Sequence, residues 1–306
     1  MSNLKKHNIL LFGGGRWARQ IIREIVTNFK NKYNIVVITP RNSIEMKKWI
    51  RLNNFSSVRV NKNIPKLKNN FFASIVANSV NDHYLSAIKS LKNKIPTLVE
   101  KPVTLSQSQT KKLIYEAKKN NVKLFTSNVF LFSHNIISFL DKIKKKSKIR
   151  LIKIYWKDPL KEIRYGEMKK SDLSIPIYAD YLPHILPFIW KLTNQKNIKL
   201  TSHRFSKDEN KVKFNFLANY IKCHITLDRA AIKRVRLIKI DSERSTFTFN
   251  FHTSKPKFND RPLAKMLKTF FICAEKNINN HKLNIELSLK INQMMDQILY
   301  KKKLIK

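Results

Sequence analysis

The chain has 306 residues, enough for two domains with ordinary cores, and 42% hydrophobic with 10% aromatic content belongs to a folded rather than a disordered protein. A formal net charge of +42 ordinarily points to nucleic acid, but only 14 of the 62 basic residues are Arg, and the lysines run the length of a chain crowded with Asn and Ile. All three have A+T-rich codons, so coding bias accounts for the charge and nucleic acid is not an expected partner; no stretch approaches the roughly 18 apolar residues of a membrane span, and no membrane is expected either.

Met1 to Asn8 is polar, and the apolar run Ile9 to Phe12 leads into glycines, Arg16 and Arg19, which is not the build of a signal peptide. The run Asn8 to Phe12 predicts a strand, Trp17 to Phe29 a helix, and Ile35 to Ile38 a buried parallel strand. Ile44 to Leu52 reads as a helix, Ser57 to Val60 and Ala73 to Ala77 as strands, and Asn81 to Leu91 as a helix with Asn81 as its N-cap. Thr97 to Val99, Ser106 to Lys119 and Val122 to Phe125 continue as strand, helix and strand. This alternation implies βαβ units on a mostly parallel sheet. After residue 126 a mixed segment runs to Trp190, followed by strand-like stretches at Lys199 to Phe205, Lys211 to Leu227 and Arg234 to Phe251, which imply an antiparallel sheet. Leu263 to Glu275 and Ile285 to Leu299 predict helices, and Lys301 to Lys303 a solvated end. Cys223 and Cys273 lie in apolar surroundings, too few and too scattered for a disulfide framework or a metal site, and suit a reducing cytoplasm.

The reading is α/β in two domains: residues 1–125 form a dinucleotide-binding Rossmann domain, and residues 126–306 a substrate-binding and dimerisation domain on an open, mostly antiparallel sheet.

Three of only four glycines are consecutive. Gly13-Gly14-Gly15-Arg16-Trp17-Ala18 fits G-x-G-x-x-A between the first strand and the first helix: one glycine for the tight turn, one for close approach of a diphosphate, and Ala18 for close helix–strand packing. The helix opening adds free N–H groups for the phosphates. The second strand ends Ile38-Thr39-Pro40-Arg41-Asn42-Ser43 with no acid for a ribose 2′-hydroxyl; Thr39, Arg41 and Ser43 suit a 2′-phosphate, which favours NADP(H) over NAD(H).

The segment Asn78 to Leu105, with Glu100-Lys101-Pro102 at the end of the fifth strand, resembles the Gfo/Idh/MocA oxidoreductases, the family of glucose-fructose oxidoreductase and inositol dehydrogenase. Asp180-Tyr181-Leu182-Pro183-His184 resembles that family's D-x-x-x-H motif, although Ile175 to Ala179 before it lacks the family's glycines. The resemblance implies that Asn78, Glu100 and Lys101 lie by the cofactor and that Lys101, Asp180 and His184 are catalytic, with substrate between the domains and a homodimer formed through the sheet face. A proton carrier is what a C=O/CH–OH conversion needs, and Asp180 and His184, at i and i+4, share a helix face. Pro183 fits a helix that starts close to it. Tyr155, Trp156 and Arg164 fall where substrate contacts would be, Arg164 as a clamp for carboxylate or phosphate. The expected activity is NADP(H)-dependent oxidation or reduction of a sugar-like or cyclic polyol substrate. An imine reductase and a non-catalytic dinucleotide sensor stand as alternatives.

Overall fold

The computed structural model describes residues 6–30, 32–65, 71–146, 148–194, 198–253 and 260–303. The chain divides into two compact units, Met1–Val129 with Arg261–Asn292, and Phe130–Asp260 with Gln293–Lys306.

The first unit runs β1 (His7–Phe12), α1 (Arg16–Asn28), β2 (Tyr33–Ile38), α2 (Ser43–Leu52), β3 (Val58–Asn61), β4 (Ala73–Val76), α3 (Val80–Lys92), β5 (Thr97–Val99), α4 (Gln107–Lys119) and β6 (Leu124–Thr126). Its strands are all parallel, in the order β3-β2-β1-β4-β5-β6, the doubly wound arrangement expected from the alternating pattern. Leu10, Leu11, Ile35, Val37, Ile75 and Val99 are buried, as strands covered on both faces require. Ala18, Ile21, Ile22 and Ile25 recur at helical spacing and form the buried stripe of α1. The strand order reverses between β1 and β4, the switch point at which such sheets bind ligands beyond their carboxyl ends.

Residues 261–292 pack with this unit rather than with the second half of the chain, where the sequence reading groups them. The reason is a buried face on α7 (Pro262–Lys276): Phe271 meets Phe29 edge-on at 5.4 Å and Tyr33 at 4.5 Å, and Phe270 meets Phe125 at 5.6 Å. In the first half of α8 (Ile285–Lys303), Asn292 accepts from Thr110 and donates to the Thr104 carbonyl, both at 2.8 Å, and Ser288 donates to Thr126.

The second unit contains α5 (His134–Lys146), β7 (Ile149–Lys157), the hairpin β8 (Lys161–Arg164) and β9 (Glu167–Lys170), α6 (Ile177–Thr193), β10 (Lys199–Phe205), β11 (Lys211–Ala218), β12 (Ile221–Asp228), β13 (Val235–Ser242) and β14 (Thr246–Asn250). Its open sheet, β10-β11-β12-β7-β13-β14, is antiparallel except where β12 meets β7. Alternation places Val212, Phe214 and Phe216 inward and Lys211, Lys213 and Asn215 outward.

Four sequence expectations change. The stretches 211–227 and 234–251 each fold back into two strands, the first at Asn219-Tyr220, where Asn219 takes φ 61°. Asn bears that left-handed conformation better than most residues. Helix α3 starts at Val80 with Ser79 as N-cap, so Asn81 lies inside its first turn. Pro183 and Pro187 both sit within α6, whose buried side chains hold it in place on nearly all sides despite the missing N–H donors. Lys301 and Lys302 belong to α8, where Lys301 donates to the Leu200 carbonyl at 2.7 Å and Lys302 pairs with Glu209.

Candidate functional site

At the carboxyl end of β1, Gly13 donates to the Ile38 carbonyl at 3.0 Å and takes φ +132°. A Cβ there would lie 2.5 Å from the Ala77 carbonyl oxygen, so the turn touches the end of β4. A Cβ on Gly14 would lie 2.2 Å from the buried Thr39 hydroxyl at the end of β2. Gly15 differs: it is exposed, its backbone is extended, and a Cβ would meet nothing within 4 Å. Packing therefore explains the first two glycines and not the third. Gly15 is the N-cap of α1 and offers no side-chain cap to that helix end, a positive terminus suited to an anion.

Around this opening, residues from three strand ends gather. The Asn78 amide nitrogen donates to Ser86 at 2.9 Å, and its Oδ1 is buried with no hydrogen-bond donor. Glu100 is buried and its Oε1 likewise receives no hydrogen bond. Burial raises the Glu100 pKa; Trp17, the Ser127 hydroxyl and the Lys101 charge oppose that rise. His83 spans the Pro102 carbonyl (2.9 Å) and the Asn78 carbonyl (3.3 Å), tying the end of β4 to the Lys101-Pro102 turn, whose peptide bond is cis. Burial holds its imidazole below the ordinary pKa, with Lys101 acting in the same direction. Lys101 is half-buried at the end of β5. Arg41 is exposed beyond β2, whereas Ser43 is buried in the first turn of α2.

These residues fit a dinucleotide. The helix end without a side-chain cap and the space at Gly15 suit a diphosphate, and the buried Asn78 Oδ1, which receives no hydrogen bond, costs about 1–3 kcal/mol unless a ligand meets it.

In the second unit His184 stacks on Trp156 at 5.5 Å and 20°, and meets Phe130 edge-on at 5.1 Å. Trp156 is wholly enclosed, so it supports the imidazole and has no surface for substrate. Tyr155 points to the opposite face of the sheet, as adjacent strand residues must, with Lys157 over its ring at 5.9 Å. Asp180 lies one turn before His184 on α6, half-buried. Burial raises the Tyr181 pKa, and the nearby carboxylates of Asp158 and Asp180 raise it further.

A charged group absent from the sequence reading lies alongside. Asp158 receives Arg236 in bidentate fashion at 3.2 and 2.7 Å, Lys169 at 3.0 Å, and faces Arg234 at 3.5 Å. Arg236 lies over the Trp156 ring at 4.3 Å. Arg164, the expected clamp, faces Glu162 at 3.9 Å. The signal in the chain was Arg234-Val235-Arg236, two guanidinium groups at the period of one strand face. Burial works to raise the Asp158 pKa, but Arg236 and then Lys169 overcome it and hold the carboxyl well below its ordinary value of 3.8. Such a carboxylate stabilises the fold at every pH above that ordinary value, and the contribution is lost only in acid. Asp158→Ala strands Arg236 and Lys169 and should cost about 3–5 kcal/mol in denaturant unfolding at neutral pH; a loss under 1 kcal/mol would contradict the arrangement.

Among the described residues, no group of three or more His, Cys, Asp or Glu could hold a metal, and no helix is long and apolar enough to cross a membrane. Both cysteines are free and buried.

No curated protein matches the sequence. Among solved structures, the chain is similar to a myo-inositol dehydrogenase from Corynebacterium glutamicum (14% identity, TM-score 0.74, 97% of this chain and 96% of that one). It is also similar to a UDP-N-acetylglucosamine 3-dehydrogenase from Acidithiobacillus ferrooxidans (14%, 0.76, 96% and 97%). A third is a 3-ketoreductase from Actinomadura kijaniata in complex with NADP and TDP-benzene (12%, 0.71, 95% and 96%). At these identities the likeness establishes the fold. Residues 7–128 match the profile of the oxidoreductase family with an NAD-binding Rossmann fold. That segment, which carries the glycine turn and Glu100-Lys101-Pro102, is the part of the chain that is similar to the Gfo/Idh/MocA oxidoreductases.

Proposed function

We propose that this protein is an NADP(H)-dependent oxidoreductase acting on a C=O/CH–OH centre of a sugar-like or cyclic polyol substrate. The observation that carries the reading is the space at Gly15, unexplained by packing, beside an uncapped helix end. Bound nicotinamide would supply hydride transfer. The amides opening α1 at Arg16 and Trp17 would hold the diphosphate, and Asn78 and Glu100 would accept hydrogen bonds from the cofactor. Lys101 would carry the proton of the reacting oxygen, and His184, with Asp180 one turn before it, would bind and orient the substrate. Trp156 would fix the imidazole plane.

Preference for NADP(H) rests on Arg41, exposed where NAD-preferring folds carry an acid. Thr39 seats Gly14 and so shapes the loop that presents Arg41. In a fluorescence titration NADPH should bind more tightly than NADH, and Arg41→Ala should weaken NADPH alone by about tenfold, ~1.4 kcal/mol. Absence of binding by either nucleotide would end the oxidoreductase reading, and tighter NADH binding would end the assignment to Arg41.

The sheet face opposite α6, with Leu151, Tyr155 and Leu237 among its lysines, is proposed to bury itself against a second copy. The two buried thiols suit a reducing compartment such as the cytoplasm.

A further inference from the structure

The charges around Asp158 do not balance. Arg164, Lys169, Arg234 and Arg236 bring four positive groups. Against them stand Asp158, Glu162 and Glu167, the last opposite Arg164 across the hairpin. Arg229, which donates to the neutral carbonyls of Asp172 and Ile175 at 3.0 and 2.8 Å, adds a fifth cation and Asp180 a fourth carboxylate, both close enough to act on Tyr181, so one positive charge is left in excess. The Asp158 carboxylate accepts three hydrogen bonds from Arg236 and Lys169, and Arg234 Nε approaches its Oδ1 to 3.5 Å. Arg229 Nε is buried with no hydrogen-bond acceptor, and Arg234 Nε, also buried, makes no hydrogen bond and has only its 3.5 Å ion-pair approach to Asp158. Burial above all, and then the neighbouring Arg236 and Arg164, push the Arg234 pKa down to about 10 against the opposing charges of Asp158 and Glu162. His252 faces the same group, and burial with Arg234 and Arg236 lowers its pKa, so it brings a neutral donor and acceptor at neutral pH.

The group adjoins the proposed substrate residues of its own unit. Arg236 and His184 share the Trp156 ring, and the charges of Asp158, Asp180, Arg229 and Arg236 all reach Tyr181. Arg164 and Arg234 keep about a fifth of their side chains exposed (21% and 23%), while Asp158 and Arg236 are closed in beneath them. Two guanidinium groups held over a buried ion pair present the planar, multidentate donors that carboxylate and phosphate oxygens bind best.

We propose that Arg164 and Arg234 form an anion subsite beside His184 and that the substrate carries a carboxylate or phosphate, so that it is an acidic or phosphorylated sugar and not a neutral polyol. This inference rests on the substrate side of the proposed function and is independent of how the cofactor binds.

The test is calorimetric titration of the full chain with four probes: myo-inositol, glucose, glucuronate and glucose 6-phosphate. One or both charged sugars should bind at least about tenfold more tightly than the neutral pair, with affinity falling as salt rises. Preference for glucuronate would mark a carboxylate site, and preference for glucose 6-phosphate a phosphate site. Arg164→Gln and Arg234→Gln should each remove the preference. Arg164, on the hairpin, is the safer substitution if Arg234→Gln lowers the melting temperature. Binding of neutral and charged sugars alike, no binding of any probe, or a preference that survives both substitutions would overturn the proposal. An NADPH titration of the same samples reads the cofactor assignment separately, so either idea can fail alone.

Discussion

Gly15→Val should leave thermal stability nearly unchanged and weaken NADPH binding by about a hundredfold or more, ~2.7 kcal/mol. The backbone at Gly15 is extended, with φ −86° and ψ −178°, which valine adopts without strain, and the added carbons enter space the protein leaves open. They would occupy the place assigned to the diphosphate. Gly13→Ala reverses the outcome. Its φ of +132° and the 2.5 Å approach to the Ala77 carbonyl should cost about 2–4 kcal/mol of stability. Unfolding curves and nucleotide titrations on the two variants separate a glycine kept for folding from one kept for a ligand. Full NADPH affinity in Gly15→Val would remove the central support for the proposed function.

Lys101→Ala should lower turnover by about 10²–10⁴-fold while cofactor affinity stays within about 0.7 kcal/mol of the parent. The side chain is half-buried at the end of β5, and the turn that carries it is braced by His83, so its loss leaves the strand end in place. The assay follows nicotinamide absorbance with whichever probe sugar the parent turns over. A variant with unchanged turnover would refute the catalytic role; one that loses NADPH binding would reassign Lys101 to cofactor attachment.

Local chemistry made the first unit legible. The glycine run, the short β-branched strands and the apolar stripe of α1 each declare themselves within a few residues, because a parallel sheet buried on both faces needs continuous apolar strands. The hairpins of the second unit were hidden for the opposite reason. Asn219-Tyr220 interrupts a long alternating run with no glycine or proline, and the turn depends on one asparagine accepting a left-handed conformation. The Asp158 group was hidden because its members lie far apart in the chain, at 158, 169, 234 and 236, and meet only through the register of β7 with β13 and the fold of the β8–β9 hairpin. Trp156 and Tyr155 illustrate the same limit: adjacent aromatics on one strand point to opposite faces, and which face is enclosed depends on α6.

Asn292 sits between Thr104 and Thr110, and Ser288 meets Thr126, so the last pieces of the first unit are drawn from near the end of the chain. During synthesis most of the first unit emerges from the ribosome early but stays unfinished until residue 292 has left the exit tunnel. At about 5–20 residues per second, the wait for the roughly 160 residues between 129 and 292 lasts on the order of ten seconds. For that interval the apolar surface that α7 will cover stands open to chaperones, and a protein shortened at residue 260 would keep it open permanently.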